Sequence, residues 1–293
     1  MIQHQRKVAV TFDDLPMQPP LTDSTVVGEV TDRLLSSLSS IGVPVVGFVN
    51  EAVVVDSSQV ANLEKWCDAG MELGNHTYSH LDLHTTSVDL FKQDIIRGEI
   101  ISKRLTSVRF FRYPYLHTGL TCETKTSVEE FLREHGLLIA PVTIQSEEYM
   151  FAQAYDQAML NGDSETMRRI ATAYIPYMEK MFEYFERLSI EVFGREISQV
   201  LLLHASALNA DHFFDLELMM RERGYSFITL EQALDDEAYA HRDSCITSDG
   251  LSWLRRWAAT DGLDVHPQPA EPEFVKNLWN EFRQRSRTKR NAS

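Results

Sequence analysis

The sequence predicts an α/β fold built on a mainly parallel sheet. Three observations point there. β-branched apolar runs alternate along the chain with amphipathic helical runs. Gly70, Gly136 and Gly224 each follow a helical pattern, where a left-handed closing residue is expected. Polar residues fall at the ends of successive strands, the place where parallel α/β sheets hold their sites. In order, residues 8–12, 43–49, 71–75, 108–112, 137–143, 200–204 and 226–230 read as strands. Residues 24–40, 58–69, 88–105, 127–135 and 210–223 read as helices, and 229–234 as a strand running into a short last helix. Residues 163–194 are helical in period and carry Tyr174, Tyr177, Phe182, Tyr184 and Phe185, an aromatic stripe suited to core packing.

The domain reading is a barrel over 1–237 with a helical insertion at about 157–195. An extension over 238–264 packs on it through Trp253 and Trp257, which stand on a short amphipathic helix. Pro267, Pro269 and Pro272 mark a linker, and little beyond Trp279 looks foldable. Residues 265–293 therefore read as a flexible basic tail, with Arg283, Arg285, Arg287, Lys289 and Arg290. The insertion packs on its own barrel or on a second copy, so a homo-oligomer stays open; an outward aromatic face would favour the second.

A formal net charge of −15 argues against nucleic acid or an anionic membrane as the main partner. Cys67, Cys122 and Cys245 are too few and too scattered for a disulfide framework, and none has zinc-finger spacing. No apolar run reaches membrane-spanning length. The first strand begins within ten residues of Met1, so this numbering shows no signal peptide. The chain is cytoplasmic as written, or secreted or periplasmic if an export signal has been removed.

Asp13 and Asp14 sit together where the first strand ends. Adjacent carboxylates repel, so they ask for a cation or a proton. His76 and His80, four residues apart, can face the same way on a helical turn. Two imidazoles and a carboxylate leave open positions on a divalent metal, as a catalytic site requires. Arg112 and Tyr113 follow the fourth strand; Glu147, Glu148 and Tyr149 follow the fifth; His204 ends the sixth.

With Thr11-Phe12-Asp13-Asp14, His76-Thr77-Tyr78-Ser79-His80, Arg112-Tyr113-Pro114-Tyr115 and Leu201-Leu202-Leu203-His204 in this order, the chain resembles the polysaccharide deacetylase family, carbohydrate esterase family 4. The resemblance covers roughly residues 8–205. It implies a distorted (β/α)7-type barrel, in which Asp14, His76 and His80 hold a divalent metal. Zinc is the default, and cobalt, nickel and iron are accepted. It further implies Asp13 as general base held by Arg112, His204 as general acid, and Thr77 and the Tyr113 backbone beside the forming oxyanion. The implied partner is an N-acetylated glycan, losing its acetyl group by hydrolysis. A formyl or O-acetyl substrate, or a glycan-binding protein without activity, are the alternatives.

The chain departs from the family where an Asp-Trp pair is expected and Glu148-Tyr149 stands. Glu148 would orient His204, with Glu147 as the competitor. Tyr113, Tyr115, Tyr149 and Phe151 either line a sugar-stacking rim or simply pack. Asn209 offers a polar group near that rim, and His84 and His117 read as supporting or surface histidines.

Overall fold

The structure, a computed structural model, describes residues 5–292, with side chains through Arg285. Seven parallel strands form one curled sheet: β1 (Arg6–Leu15), β2 (Val45–Val49), β3 (Glu72–Asn75), β4 (Phe110–Phe111), β5 (Leu138–Ile139), β6 (Gln199–His204) and β7 (Tyr225–Phe227). Their order is β5-β4-β3-β2-β1-β6, with β7 beside the start of β1. Past β5 the chain closes the ring. Ile144 donates its N–H to Val200 at 3.0 Å, and Leu202 donates to Ile144 at 3.2 Å, a single parallel bridge. The expected barrel is therefore present, and each of the seven strands overlaps the run that predicts it.

Helices cover the outside: α1 (Ser24–Ile41), α2 (Ser57–Asp68), α3 (Val88–Arg97), α4 (Ser102–Leu105), α5 (Cys122–Glu134), α6 (Glu148–Leu160), α7 (Ser164–Phe193), α8 (Ala207–Glu222), α9 (Leu230–Leu234), α10 (Trp253–Thr260) and α11 (Glu273–Ala292). The α1 run starts at a capping Asp23, whose carboxylate accepts from Thr25 and Val26 N–H. It ends at Gly42 with φ +71°. Its buried stripe of Val27, Val30, Leu34 and Leu38 lies on the sheet.

Three expectations change. The single helix expected over 88–105 is two, α3 and α4, broken at Gly98. A Cβ there would stand 2.5 Å from the Thr77 and Tyr78 backbone, so glycine lets this end of the helix touch the β3 exit loop. A helix not foreseen, α6, begins at Glu148. Finally, the flexible tail expected over 265–293 is in part helix α11. Val275 is fully buried there, and Trp279 Nε1 donates to Gln153 on α6 at 2.9 Å. Phe274, Val275, Leu278 and Trp279 make a short apolar stripe, and the three prolines and the charged surroundings hide it from a reading by composition. The side chains of Arg287, Lys289 and Arg290 lie outside the described residues.

The aromatics of α7 are buried within this chain, with Tyr174, Phe182 and Phe185 at 0% exposure, so the outward aromatic face that would favour a second subunit does not arise from them. On the extension, Arg256 is buried, with Nε 2.8 Å from Asp243 and Nη2 2.7 Å from the Cys245 carbonyl. Among the described residues, no helix is long and apolar enough to cross a membrane.

Candidate active site

Parallel strands present their C-terminal ends on one face, and the polar residues gather there. β1 delivers Asp13 and Asp14; the loop after β3 delivers His76, Thr77 and His80; β4 delivers Arg112; β6 delivers His204. Asp13 and His204 are register partners on neighbouring strands.

The β3 exit loop is held on every side. Asn50 Nδ2 donates to the His76 carbonyl at 2.6 Å, and Asn75 Oδ1 accepts from Thr77 N–H at 2.7 Å. Asp94 on α3 accepts from the N–H and the hydroxyl of Ser79, each at 2.9 Å. These bonds hold an unusual backbone: Asp14 and Thr77 have φ +63° and His80 φ +54°. For β-branched Thr77 this is strained, at a cost of roughly 1–3 kcal/mol. Asn50, Asn75 and Asp94 were not singled out from the sequence, because each acts through a loop that only the fold brings to it.

Asp14, His76 and His80 each offer one donor atom, all within 4.8 Å of one another. His80 Nε2 lies 3.6 Å from Asp14, and His76 Nε2 lies 3.7 Å from Asp13 and 3.8 Å from Asp14. The opposite nitrogen of His76, Nδ1, is 2.8 Å from the Arg112 carbonyl. A carbonyl only accepts, so Nδ1 carries the proton and Nε2 turns a lone pair toward two carboxylates. Burial, with the charge of His80, pushes the His76 pKa to about 3, so protonation does not relieve this repulsion. A divalent cation among the three donors does, and the donor set fits one.

Asp13 is 3% exposed. Burial raises its pKa, and the Arg112 guanidinium pulls it back only in part. Desolvation outweighs the guanidinium, so Asp13 holds a proton more readily than a surface aspartate does. The geometry shows why. Arg112 is fully buried and spends its best hydrogen bonds elsewhere, 2.8 Å to the Ala140 carbonyl and 3.0 Å to Thr11 Oγ1. Its contacts with Asp13 are longer, at 3.4 and 3.5 Å.

His204 Nδ1 lies 2.8 Å from Glu148 Oε2. Burial disfavours the imidazolium, but the Glu148 hydrogen bond and charge, with Asp14 and Asp13, outweigh it and push the pKa to about 9. Glu148 is the partner, not Glu147. Glu147 is the residue before it: its N–H donates to the Tyr177 hydroxyl oxygen at 2.9 Å, and its side chain engages the Tyr149 hydroxyl.

Asn209 matters more than its sequence suggests. It is fully buried and donates to Glu148 Oε1 at 2.6 Å and to the His204 carbonyl at 2.8 Å. Tyr174 in turn donates to Asn209 Oδ1 at 2.8 Å. The available signal was Ser206, a helix cap before an apolar run, which puts Asn209 on the inner face of the first turn of α8.

The expected rim divides. Tyr149 meets the His204 ring at 6.1 Å, and Tyr115 meets the His80 ring at 4.4 Å with 54% of its surface exposed. Tyr113 and Phe151 are core residues at 1% and 0% exposure, so they do not line the cleft; Tyr113 packs against Phe111 and Phe151 against Tyr177. The Tyr113 side chain is therefore not part of the site. Thr77 Oγ1 is buried without a hydrogen-bond partner among the described residues. His84 and His117 stack 3.8 Å apart beyond Tyr115, with His117 Nδ1 2.7 Å from Asp82, and so stand beside the site rather than in it.

Residues 2–137 match the family model described as polysaccharide deacetylase. No curated protein matches the sequence. Among solved structures, the chain is similar to the chitin deacetylase of Colletotrichum lindemuthianum, with TM-score 0.53 and 21% identity over 80% of this chain and 89% of that one. It is similar to a family 4 acetyl xylan esterase from Clostridium thermocellum in complex with a cobalt ion, with TM-score 0.52 and 21% identity over 78% and 90%. It is also similar to a family 4 pseudoenzyme from Bacillus anthracis, with TM-score 0.50 and 15% identity over 79% and 66%. At these identities the structures speak for the barrel, and the matched residues carry Asp13, Asp14, His76, His80 and Arg112 on it. Over residues 2–137, a little under half of its length, the chain matches the polysaccharide deacetylase family, and its barrel is similar to that of the family 4 structures.

Proposed function

We propose that this protein is a metal-dependent hydrolase that removes the acetyl group from an N-acetylated sugar. The observation that carries the reading is the pairing of a base and an acid around one donor set: Asp13 and His204 are register partners on adjacent strands, beside Asp14, His76 and His80.

Asp14, His76 and His80 would hold the divalent ion, with zinc the default. Such an ion supplies Lewis acidity to the attacking water and to the acetamide carbonyl. Asp13 takes the proton of that water on a carboxylate oxygen. Arg112 fixes the Asp13 carboxylate from behind and balances its charge before the transfer. The Tyr113 N–H and the Thr77 hydroxyl are donors near the carbonyl oxygen as negative charge develops on it. His204, kept protonated by Glu148, gives its Nε2 proton to the leaving amine as the C–N bond breaks. Water is consumed, and acetate and the free amine leave.

The test is acetate release from N-acetylglucosamine oligomers, peptidoglycan fragments and acetylated xylan, after chelator treatment and reloading with zinc or cobalt. Metal-dependent release from an N-acetylated substrate supports the reading. Release only from the xylan makes the protein an esterase. Metal binding at one equivalent with no release from any substrate overturns the catalytic reading.

A further inference from the structure

The helix α11 lies outside the residues that match the family model, yet it reaches the catalytic face. Its Trp279 ring meets Tyr149 at 5.7 Å and 77°, and Tyr149 meets His204 at 6.1 Å. The indole is fixed by its 2.9 Å hydrogen bond to Gln153. One turn further along, the Arg283 guanidinium sits over the Trp279 ring, 4.6 Å from its centroid. A continuous stack therefore runs outward from the acid: His204, Tyr149, Trp279, Arg283.

Arg283 is exposed, and no carboxylate of a described residue lies within ion-pair distance of it, in a chain with 43 acidic and 28 basic side chains. Its stem is held while its N–H donors stay open. Its charge also reaches both rims. The Tyr115 and Tyr149 hydroxyls are pushed up by burial and pulled back in part by Arg283. Tyr115 belongs to the His80 side and Tyr149 to the His204 side. The ionisable side chains of the cleft itself are otherwise acidic or committed: Asp13 to Arg112, Glu148 to His204, Glu147 to Tyr149. A preorganised, unpaired guanidinium at the mouth of such a cleft is suited to an anion arriving with the substrate.

We propose that Trp279 and Arg283 form a substrate subsite on the His204 side, the indole stacking on a sugar ring and the guanidinium pairing with a carboxylate or phosphate that the glycan carries. This rests on the deacetylase reading and names its substrate as an acidic N-acetylated glycan.

The test compares wild type, R283A, R283E and W279F on three small substrates. These are neutral N,N′-diacetylchitobiose, a glucuronic acid–N-acetylglucosamine disaccharide, and N-acetylglucosamine 1-phosphate. Wild type is expected to favour one of the two acidic sugars by about tenfold or more in kcat/KM, through KM. The acidic arm that responds identifies carboxylate or phosphate. R283E should abolish that preference, its loss on the acidic sugar exceeding its effect on the neutral one about tenfold, and added salt should raise KM for the acidic sugar alone. Equal effects of R283E on all three sugars, or none, overturn the proposal. A wild type that cleaves none of them counts against the deacetylase reading instead. Calorimetric binding of the same sugars to wild type and R283E then decides the subsite, and equal affinities overturn it.

Discussion

At the residue scale, the site rests on two charges that burial treats in opposite ways. Asp13 gains basicity from desolvation, so Asp13→Asn should lower turnover by about 10²- to 10⁴-fold. Metal binding, measured by calorimetry, should remain at one equivalent, because Asp13 is not in the donor set. His204 carries a proton that burial opposes and Glu148 secures. Its folded pKa of about 9 lies above the ordinary 6.5. The proton is therefore bound more tightly in the folded state. This stability is fully present below about pH 6.5 and is lost as pH rises through about 9. In metal-free protein the melting temperature of wild type should fall over that window, and Glu148→Gln should flatten the fall. Equal slopes for the two proteins would show that the pair does not carry the effect. The residues gathered at the candidate site were legible because strand ends and motif spacing mark them. Asn209, Asn50 and Asp94 were not, because their partners are 61, 26 and 15 residues away in the chain.

At the element scale, loops are fixed by helices that come unusually close. Gly98 ends α3 against the backbone of Thr77 and Tyr78. Its φ of −77° suits any residue, so the constraint is space alone. Gly98→Ala should destabilise the protein by about 1–3 kcal/mol in urea unfolding. It should also weaken metal binding, since His76 and His80 flank the displaced backbone. Strands were legible as β-branched runs even where the ladder is brief. β4 and β5 are two residues each, shorter than their apolar runs. The start of α6 escaped notice because Glu147 and Glu148 are ordinary first-turn residues, and nothing local says that one of them turns into the barrel.

At the scale of the whole molecule, the extension is bound into the barrel rather than attached to it. Arg256 is 1% exposed and joins Asp243 to the Cys245 carbonyl, while Trp253 donates its N–H to Val142 beyond β5. Arg256→Ala should cost about 1–3 kcal/mol in a denaturant titration, since it removes the donor to the Cys245 carbonyl and leaves the part-buried Asp243 with Lys125. The docking tryptophans announced this contact in the sequence. Helix α11 did not, because its hold depends on Tyr149 and Gln153, which the fold supplies.

The barrel is also unevenly sewn. β1 shares long ladders with β2 and β6, whereas the ring closes through one bridge at Ile144 and Leu201. A seam so short is the first to breathe, and Glu148 lies four residues past it. Each opening would carry Glu148 away from His204 and release the proton that the pair retains. Amide hydrogens of Ile144 and Leu202 should thus exchange with solvent well ahead of those in the β1–β2 ladder. Their opening rate would then be a measure of how often the protein stands without its His204–Glu148 pair.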